Sequence, residues 1–257
     1  MLKKRIIPKI IVKSDAGNSS EYSAYVSFQY TSFSKIGTLG SQLKILESNK
    51  VDEVIIINAN KSDRPISENF LAYVSDAILA LKTPVTIGGG IESLFDAENL
   101  VSAGADKLIV GVNEARFPLI NQLSSKFGAQ AVVGSIDYCL NKGRLHNRGN
   151  VKEALPLEYL ISIALRGQSE GIGEILLNCV DNDGSKNGFD LKAISEFHES
   201  LSIPVIASSG AGNPDHFVMA FEAGADAVSA GTYFSKMDQS PLQLRSRLLN
   251  RGVRLRK

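Results

Sequence analysis

Only two cysteines, Cys139 and Cys179, occur in 257 residues, and their spacing fits neither a metal site nor a disulfide framework. Such sparse thiols suit a chain kept reduced, so a cytoplasmic location is expected. An excess of charge of one sign is also missing. Lys and Arg number 28 against 27 Asp and Glu, a net of +1 with no long basic run, so neither nucleic acid nor a membrane is expected as partner. A small phosphorylated ligand stays open, because it needs only a local site. No apolar run approaches the roughly 20 residues of a membrane-spanning helix. The opening MLKKRIIPKIIVK is basic and then apolar, but Pro8 and Lys9 break the run and no small-residue cleavage site follows. It reads as a first strand rather than a signal peptide. Histidine is scarce too, and none of His146, His198 and His216 is paired with a nucleophile or a metal-ligand pattern. His198 reads as structural and His216 as a helix-packing residue, and no metal or cofactor is expected.

What the chain does have is a stretch that occurs twice. IPVIASSGAGNPDHFVMAFEAGADAVSAGT, from Ile203 to Thr232, repeats the grammar of TPVTIGGGIESLFDAENLVSAGADKLIVGV, from Thr83 to Val112. Pro84 answers Pro204, Gly90 answers Gly210, Ala103-Gly104-Ala105-Asp106 answers Ala223-Gly224-Ala225-Asp226, and Gly111 answers Gly231. Apolar run, glycine turn, helix and second apolar run, repeated half a chain apart, point to a closed α/β barrel of eight strand-and-helix pairs with an internal two-fold half-barrel repeat. The length suits one such domain spanning 1–257.

Eight apolar segments fit this plan: Arg5–Val12, Glu53–Asn58, Pro84–Ile87, Lys107–Val110, Gln130–Ile136, Glu174–Cys179, Pro204–Ala207 and Ala225–Ala230. They are near-continuously Ile, Val, Leu and Ala, as parallel strands covered on both faces require. Ser93–Ala103, Pro118–Phe127, Leu191–His198 and Pro214–Ala223 have amphipathic helical spacing, with Pro118 and Pro214 where prolines open helices. The two longest connections, Ser14–Lys35 and Tyr138–Pro156, follow the first and fifth strands and are candidate lids, because loops at the C-terminal ends of barrel strands carry the active site. Plain disorder is the alternative for the first.

Candidate site residues fall at both ends of the barrel. The turns after the seventh and eighth strands place Ser209, Gly210, Gly231 and Thr232 where backbone N–H groups and a hydroxyl suit a phosphate. Tight turns alone would also account for the glycines. The echo at Gly88-Gly89-Gly90 offers a second anion site, with Gly90 the candidate, although Val112 stands where Thr232 supplies a hydroxyl. Asp137 ends the fifth run and serves either as general acid or base or as a loop cap. Asp181, Asp183, Gly184 and Ser185 follow the sixth strand at the same rim. At the floor, Arg5, Glu53, Lys107 and Glu174 each stand at the start of a run. They are either unrelated strand-edge charges or a ring of paired charges that gates something small.

Together, KRIIP, VDEVIIIN, PVTIGGGI with AGADK, FGAQAVVGSID, GEILLNCVDNDGSKNGFD and IPVIASSGAG with HF and AGADA resemble the cyclase subunit of imidazole glycerol phosphate synthase, HisF, over nearly the whole chain. The resemblance implies a TIM barrel that receives ammonia from a HisH-like glutaminase docked under its floor, past a gate whose positions correspond to Arg5, Glu53, Lys107 and Glu174. It also implies two catalytic aspartates. Asp137 matches one, while Ile11 stands at the other and cannot transfer a proton. The family's lysine in a VVKG-like motif is lacking between Asn18 and Val26, its second-strand aspartate is Asn58, and an Asn-Thr pair has become Gly111-Val112. These departures are similar to those of HisF-like paralogues that accompany a glutaminase and a third, amidating enzyme in surface-polysaccharide synthesis. The expectation is a synthase subunit supporting acetamidino formation on a phosphorylated small molecule or sugar nucleotide. The alternatives are the genuine cyclase of histidine biosynthesis and a non-catalytic ammonia-conducting scaffold.

Overall fold

The computed structural model describes residues 3–15, 18–60, 66–139, 144–145, 155–236 and 241–256. In chain order these form β1 (Arg5–Asp15), β2 (Asn18–Phe28), β3 (Ser32–Gly37), α1 (Leu39–Ser48), β4 (Val54–Asn58), α2 (Glu68–Ile78), β5 (Val85–Gly88), α3 (Leu94–Ser102) and β6 (Lys107–Gly111). There follow α4 (Phe117–Phe127), β7 (Val132–Cys139), β8 (Arg144–Leu145), α5 (Leu157–Ser169), β9 (Glu174–Cys179), α6 (Leu191–Ser200), β10 (Val205–Ser208), α7 (Pro214–Glu222), β11 (Ala227–Ala230), α8 (Thr232–Lys236) and α9 (Pro241–Asn250).

Eight of the strands run parallel in the order β1, β4, β5, β6, β7, β9, β10, β11, and β11 returns to pair with β1, closing a (β/α)8 TIM barrel. Closure uses both ends of β1, whose residues Arg5 to Pro8 pair with β11 while Lys9 to Val12 pair with β4. Successive side chains on a strand face opposite ways. Ile6, Ile10 and Val12 therefore join the outer core under the helices, with Phe70, Phe197 and Phe217, while Ile7 joins Ile55, Ile109, Val133, Leu176 and Ile206 in an apolar layer across the lumen. Each such side chain contributes about 1.5–3 kcal/mol by its burial.

The helices start where their caps dictate. Ser93 and Asp96 close a capping box on α3, Asn213 caps α7 ahead of Pro214, and Asp190 caps α6. The two similar segments become β5–α3–β6 and β10–α7–β11, with Gly104 and Gly224 both at φ 109.

In the connection Ser14–Lys35, of which 16–17 lie outside the described residues, regular strands stand in place of plain disorder. β1 extends to Asp15, and β2 and β3 form an antiparallel hairpin continuing from it. Alternation explains this: Tyr22, Ala24 and Val26 are buried, with Tyr22 stacked on Tyr73 at 5.6 Å and edge-on to Phe70 at 5.8 Å. In the second long connection, β7 runs on to Cys139 and pairs with the short β8; 140–143 and 146–154, including His146, lie outside the described residues.

Candidate functional site

At the N-terminal ends of the barrel strands, four charged side chains meet. Arg5 Nη1 lies 3.1 Å from Glu53 Oε2 and Arg5 Nη2 lies 2.9 Å from Glu174 Oε2. Lys107 Nζ closes the ring at 2.9 Å from Glu53 and 3.0 Å from Glu174. Thr86 Oγ1 donates to the second oxygen of Glu53 at 2.5 Å, so that carboxylate, 2% exposed, is held from three sides. Burial opposes the charge of Arg5, but Glu174 and then Glu53 outweigh it and raise its pKa. Burial likewise pushes Glu174 up, and Arg5 and Lys107 outweigh it and hold the carboxyl below its ordinary value. The alternation that places Arg5 here sends Ile7, Lys9 and Ile11 up the same lumen wall.

Lys9 is the feature that sequence reading missed. It is 4% exposed, above the apolar layer, and donates to Tyr30 Oη at 2.7 Å, Ser208 Oγ at 3.2 Å and Asn178 Oδ1 at 3.3 Å. Asp183 Oδ1 stands 3.6 Å away. Burial works against the ammonium, but Tyr30, Asp183 and Asp137 around it more than offset this and leave its pKa above that of an ordinary lysine. It is a fixed cation. Tyr30 is raised, mainly by burial and against the pull of Lys9, so it stays a neutral phenol. The signal for Lys9 was present in the sequence, since it shares the odd-numbered phase of Arg5 in β1.

Asn178 joins this cation to Asp137. Its Nδ2 donates to Asp137 Oδ1 at 2.8 Å and to Tyr30 Oη at 3.1 Å, and its Oδ1 accepts from Ser209 Oγ at 2.8 Å. Ser135 Oγ also donates to Asp137 Oδ1, at 3.1 Å. Asp137 therefore stands inside the mouth in a hydrogen-bonded network, and its bonds among the described residues are not those of a loop cap.

The hairpin covers the C-terminal side of the mouth. Ser27 Oγ donates to Asp183 Oδ2, Gln29 N to Asp183 O at 3.0 Å, and Gln29 Nε2 to Asp181 O at 3.0 Å. Thr232 Oγ1 points to Ser27 O at 3.4 Å, and a Cβ on Gly184 would meet Ser27 O at 2.8 Å. Asp183, Gly184, Ser209 and Thr232 are thus brought together beneath the hairpin, as is Gly231, where a Cβ would come within 3.0 Å of Lys9 O. Gly210, at φ 104, has its backbone pressed against Gly188 O, and Gly212 N donates to His216 Nδ1 at 3.1 Å. Tight packing therefore requires glycine at 210 whether or not a ligand binds there.

On the other side, Gly89 presses against Asn58 O, and Gly90 sits at φ 94. Two of the departures from the family pattern, Asn58 and Val112, do not face the mouth. Asn58 follows the outward phase of Ile56 and accepts from Asn60 N at 3.1 Å, and Val112 belongs to the outer core against Gly134 and Gly167. Gly111 does leave open space, with nothing within 4 Å of an added Cβ. Ile11 is 2% exposed in the lumen phase, and the neighbouring Asp15 is committed elsewhere. Lys35, Tyr25 and Ser23 all donate to Asp15, at 2.7, 2.6 and 3.0 Å, and hold its pKa down to about 2.

A family profile described as "Histidine biosynthesis protein" matches residues 24–238. A "Putative imidazole glycerol phosphate synthase subunit hisF2" of Prochlorococcus marinus (strain MIT 9313) is 34% identical over 100% of this chain and 99% of that relative. A protein of the same name from Campylobacter jejuni is 33% identical over 100% and 99%. The "Imidazole glycerol phosphate synthase subunit HisF" of Flavobacterium johnsoniae is 35% identical over the whole of both chains.

Proposed function

We propose, from the premise that the chain belongs to the histidine biosynthesis protein family and is a HisF-like subunit of the imidazole glycerol phosphate synthase kind, that it receives ammonia through its barrel from a HisH-like glutaminase docked at the floor. It supports amidation of a phosphate-bearing acetamido sugar, alongside a third, amidating protein. One observation carries this reading: the ring of Arg5, Glu53, Lys107 and Glu174 is complete, while across the lumen from Asp137 β1 offers Ile11, and the neighbouring carboxylate of Asp183 is already held by Ser27 and Lys9. A proton-transfer pair needs a second group with a matched pKa. Asp15 does not supply it, being held by three donors.

In this reading Asp137 is the acid or base, with Asn178 fixing its orientation. Ser209, Gly210, Gly231 and Thr232, with Asp183 and Gly184, form the substrate pocket under the hairpin, and Gly90 lies across the mouth. The four ring residues pass ammonia when the partner docks.

The genuine cyclase is the second reading, favoured by full-length identity to a HisF. Purified chain supplied with ammonium and the histidine-pathway precursor separates the two. No turnover is expected; turnover at a rate comparable to a HisF would sink the amidation reading. In the complex with its glutaminase, Asp137→Asn is expected to lower sugar amidation at least about 100-fold, whereas an unchanged rate assigns the chemistry to another protein.

A further inference from the structure

Two N–H donors converge on a single oxygen in the mouth. Lys9 Nζ, at 2.7 Å, and Asn178 Nδ2, at 3.1 Å, both donate to the Tyr30 hydroxyl. Tyr30 does not belong to the barrel wall. It sits at the tip of the β2–β3 hairpin, in a Phe28–Thr31 turn whose central residues Gln29 and Tyr30 both have positive φ, 51 and 54. Few side chains adopt that conformation without a compensating contact; Gln29 has its bonds to Asp183 O and Asp181 O, and Tyr30 has the one with Lys9. The donors themselves are rigid. Ser208 Oγ and Asn178 Oδ1 take the other two protons of Lys9, and Ser209 and Asp137 fix the amide of Asn178.

A second observation marks the same level of the lumen as a ligand site. Ser229 is 0% exposed, its hydroxyl has no hydrogen-bond partner among the described residues, and it pairs in register with Ser208 on the adjacent strand. Ala227, two residues earlier, belongs to the apolar lumen layer, so alternation aims Ser229 inward as well.

We propose that Lys9 and Asn178 form the binding site for a substrate carbonyl oxygen, that of an acetamido group, and that the Tyr30 hydroxyl holds this place while the hairpin is shut. The inference rests on the amidation reading and deepens it. Charge selects the class of oxygen. Lys9 faces both Asp183 and Asp137, so one cation meets two carboxylates, and a phosphate dianion in the same place would be repelled. A neutral carbonyl is accepted as the neutral phenol is. It gains negative charge as ammonia adds to its carbon, where a fixed ammonium and an amide N–H stabilise it most. Asp137 then relays protons from the added nitrogen to that oxygen, the C–O bond breaks, and the oxygen leaves as water, so that acetamide and ammonia give acetamidine and water. Asp137, on the same Asn178 amide, stands beside that carbon's substituents.

The test uses the purified full chain and three probes: N-acetylglucosamine 1-phosphate carrying 13C at the acetamido carbonyl, glucose 1-phosphate, and inorganic phosphate. Removing the internal competitor with Tyr30→Phe is expected to tighten the N-acetyl sugar by about tenfold and to leave the other two unchanged. Lys9→Met, with Lys9→Gln as the second variant should it fold poorly, is expected to abolish the preference for the N-acetyl sugar over glucose 1-phosphate. It should also remove the downfield shift of the bound 13C carbonyl, while phosphate affinity stays within about twofold. Equal tightening of all three probes by Tyr30→Phe would overturn the proposal, since it reports only a looser hairpin. So would a preference and a carbonyl shift that survive loss of Lys9. If inorganic phosphate itself fails to bind, the phosphate pocket of the amidation reading falls, and with it the basis of this inference.

Discussion

Glu174 shows how a single residue at the floor ties stability to pH. Its carboxyl is pushed up by burial and pulled further down by Arg5 and Lys107, so the folded value lies below the ordinary 4.5. A depressed carboxylate contributes stability that is present above the unfolded pKa and lost as pH falls through the folded one. Glu174→Gln is therefore expected to cost about 2–4 kcal/mol at pH 7, measured by urea unfolding. Its deficit against the parent should shrink as pH drops below 4.5, and a deficit that stays constant into acid would show that the ring contributes nothing through charge. Legibility at this scale follows phase. Arg5, Glu53, Lys107 and Glu174 stand at the edges of apolar runs, where a charge is conspicuous. Lys9 stands inside one and reads as an interruption, because its partners Tyr30, Asn178 and Ser208 come from three other elements. Asn58 and Val112 are hard to place for the opposite reason: proximity in sequence to the rim does not say which face of the strand they take.

Among the elements, the β2–β3 hairpin is what the sequence conceals most. Its serines and tyrosines look like loop composition, and only the burial of Tyr22, Ala24 and Val26 on one face makes it a strand. Its turn lacks the Asn-Gly pair that such a turn prefers, and each non-glycine residue at positive φ costs roughly 1–2 kcal/mol. The tip is thus held by contacts rather than by its own propensity. One of these is the close seat of Ser27 on Gly184, which itself has φ 73. Gly184→Ala places a methyl against Ser27 O and strains the loop, at a cost of about 1–3 kcal/mol. Hydrogen exchange is expected to accelerate at the amides of β2 and β3 and to stay unchanged in β9 and β10. Uniform acceleration across the barrel would mean that the hairpin and the wall open as one unit. The barrel strands were easier to read, because near-continuous apolar runs bounded by Pro84, Pro204 and the glycine turns leave little choice of element.

Across the whole molecule, the barrel separates an electrostatically closed floor from a mouth that is polar on one side only. Lys9, Asn178, Ser208 and Ser209 lie on β1, β9 and β10 or just beyond, joined to Asp137 on β7. The side of β4 to β6 presents Ile57 and the open space at Gly111. This asymmetry decides what a restored carboxylate at position 11 would do. Ile11 is buried, and its neighbours in register are Ile57 and Tyr25. An aspartate there would lie beside an apolar wall, and the two cations that flank it on its own strand are engaged: Lys9 spends its three protons, and Lys13 lies over the Phe33 ring at 3.9 Å. An unpaired buried carboxyl neutralises or destabilises the fold. Ile11→Asp is expected to lower stability by about 2–4 kcal/mol at pH 7, to recover part of this near pH 5 as the carboxyl protonates, and to leave turnover of the histidine-pathway precursor undetectable with saturating ammonium. Thermal melts at the two pH values and a precursor-consumption assay measure this. Gain of turnover without loss of stability would mean that the mouth is still arranged for two carboxylates and has lost only one atom group from it.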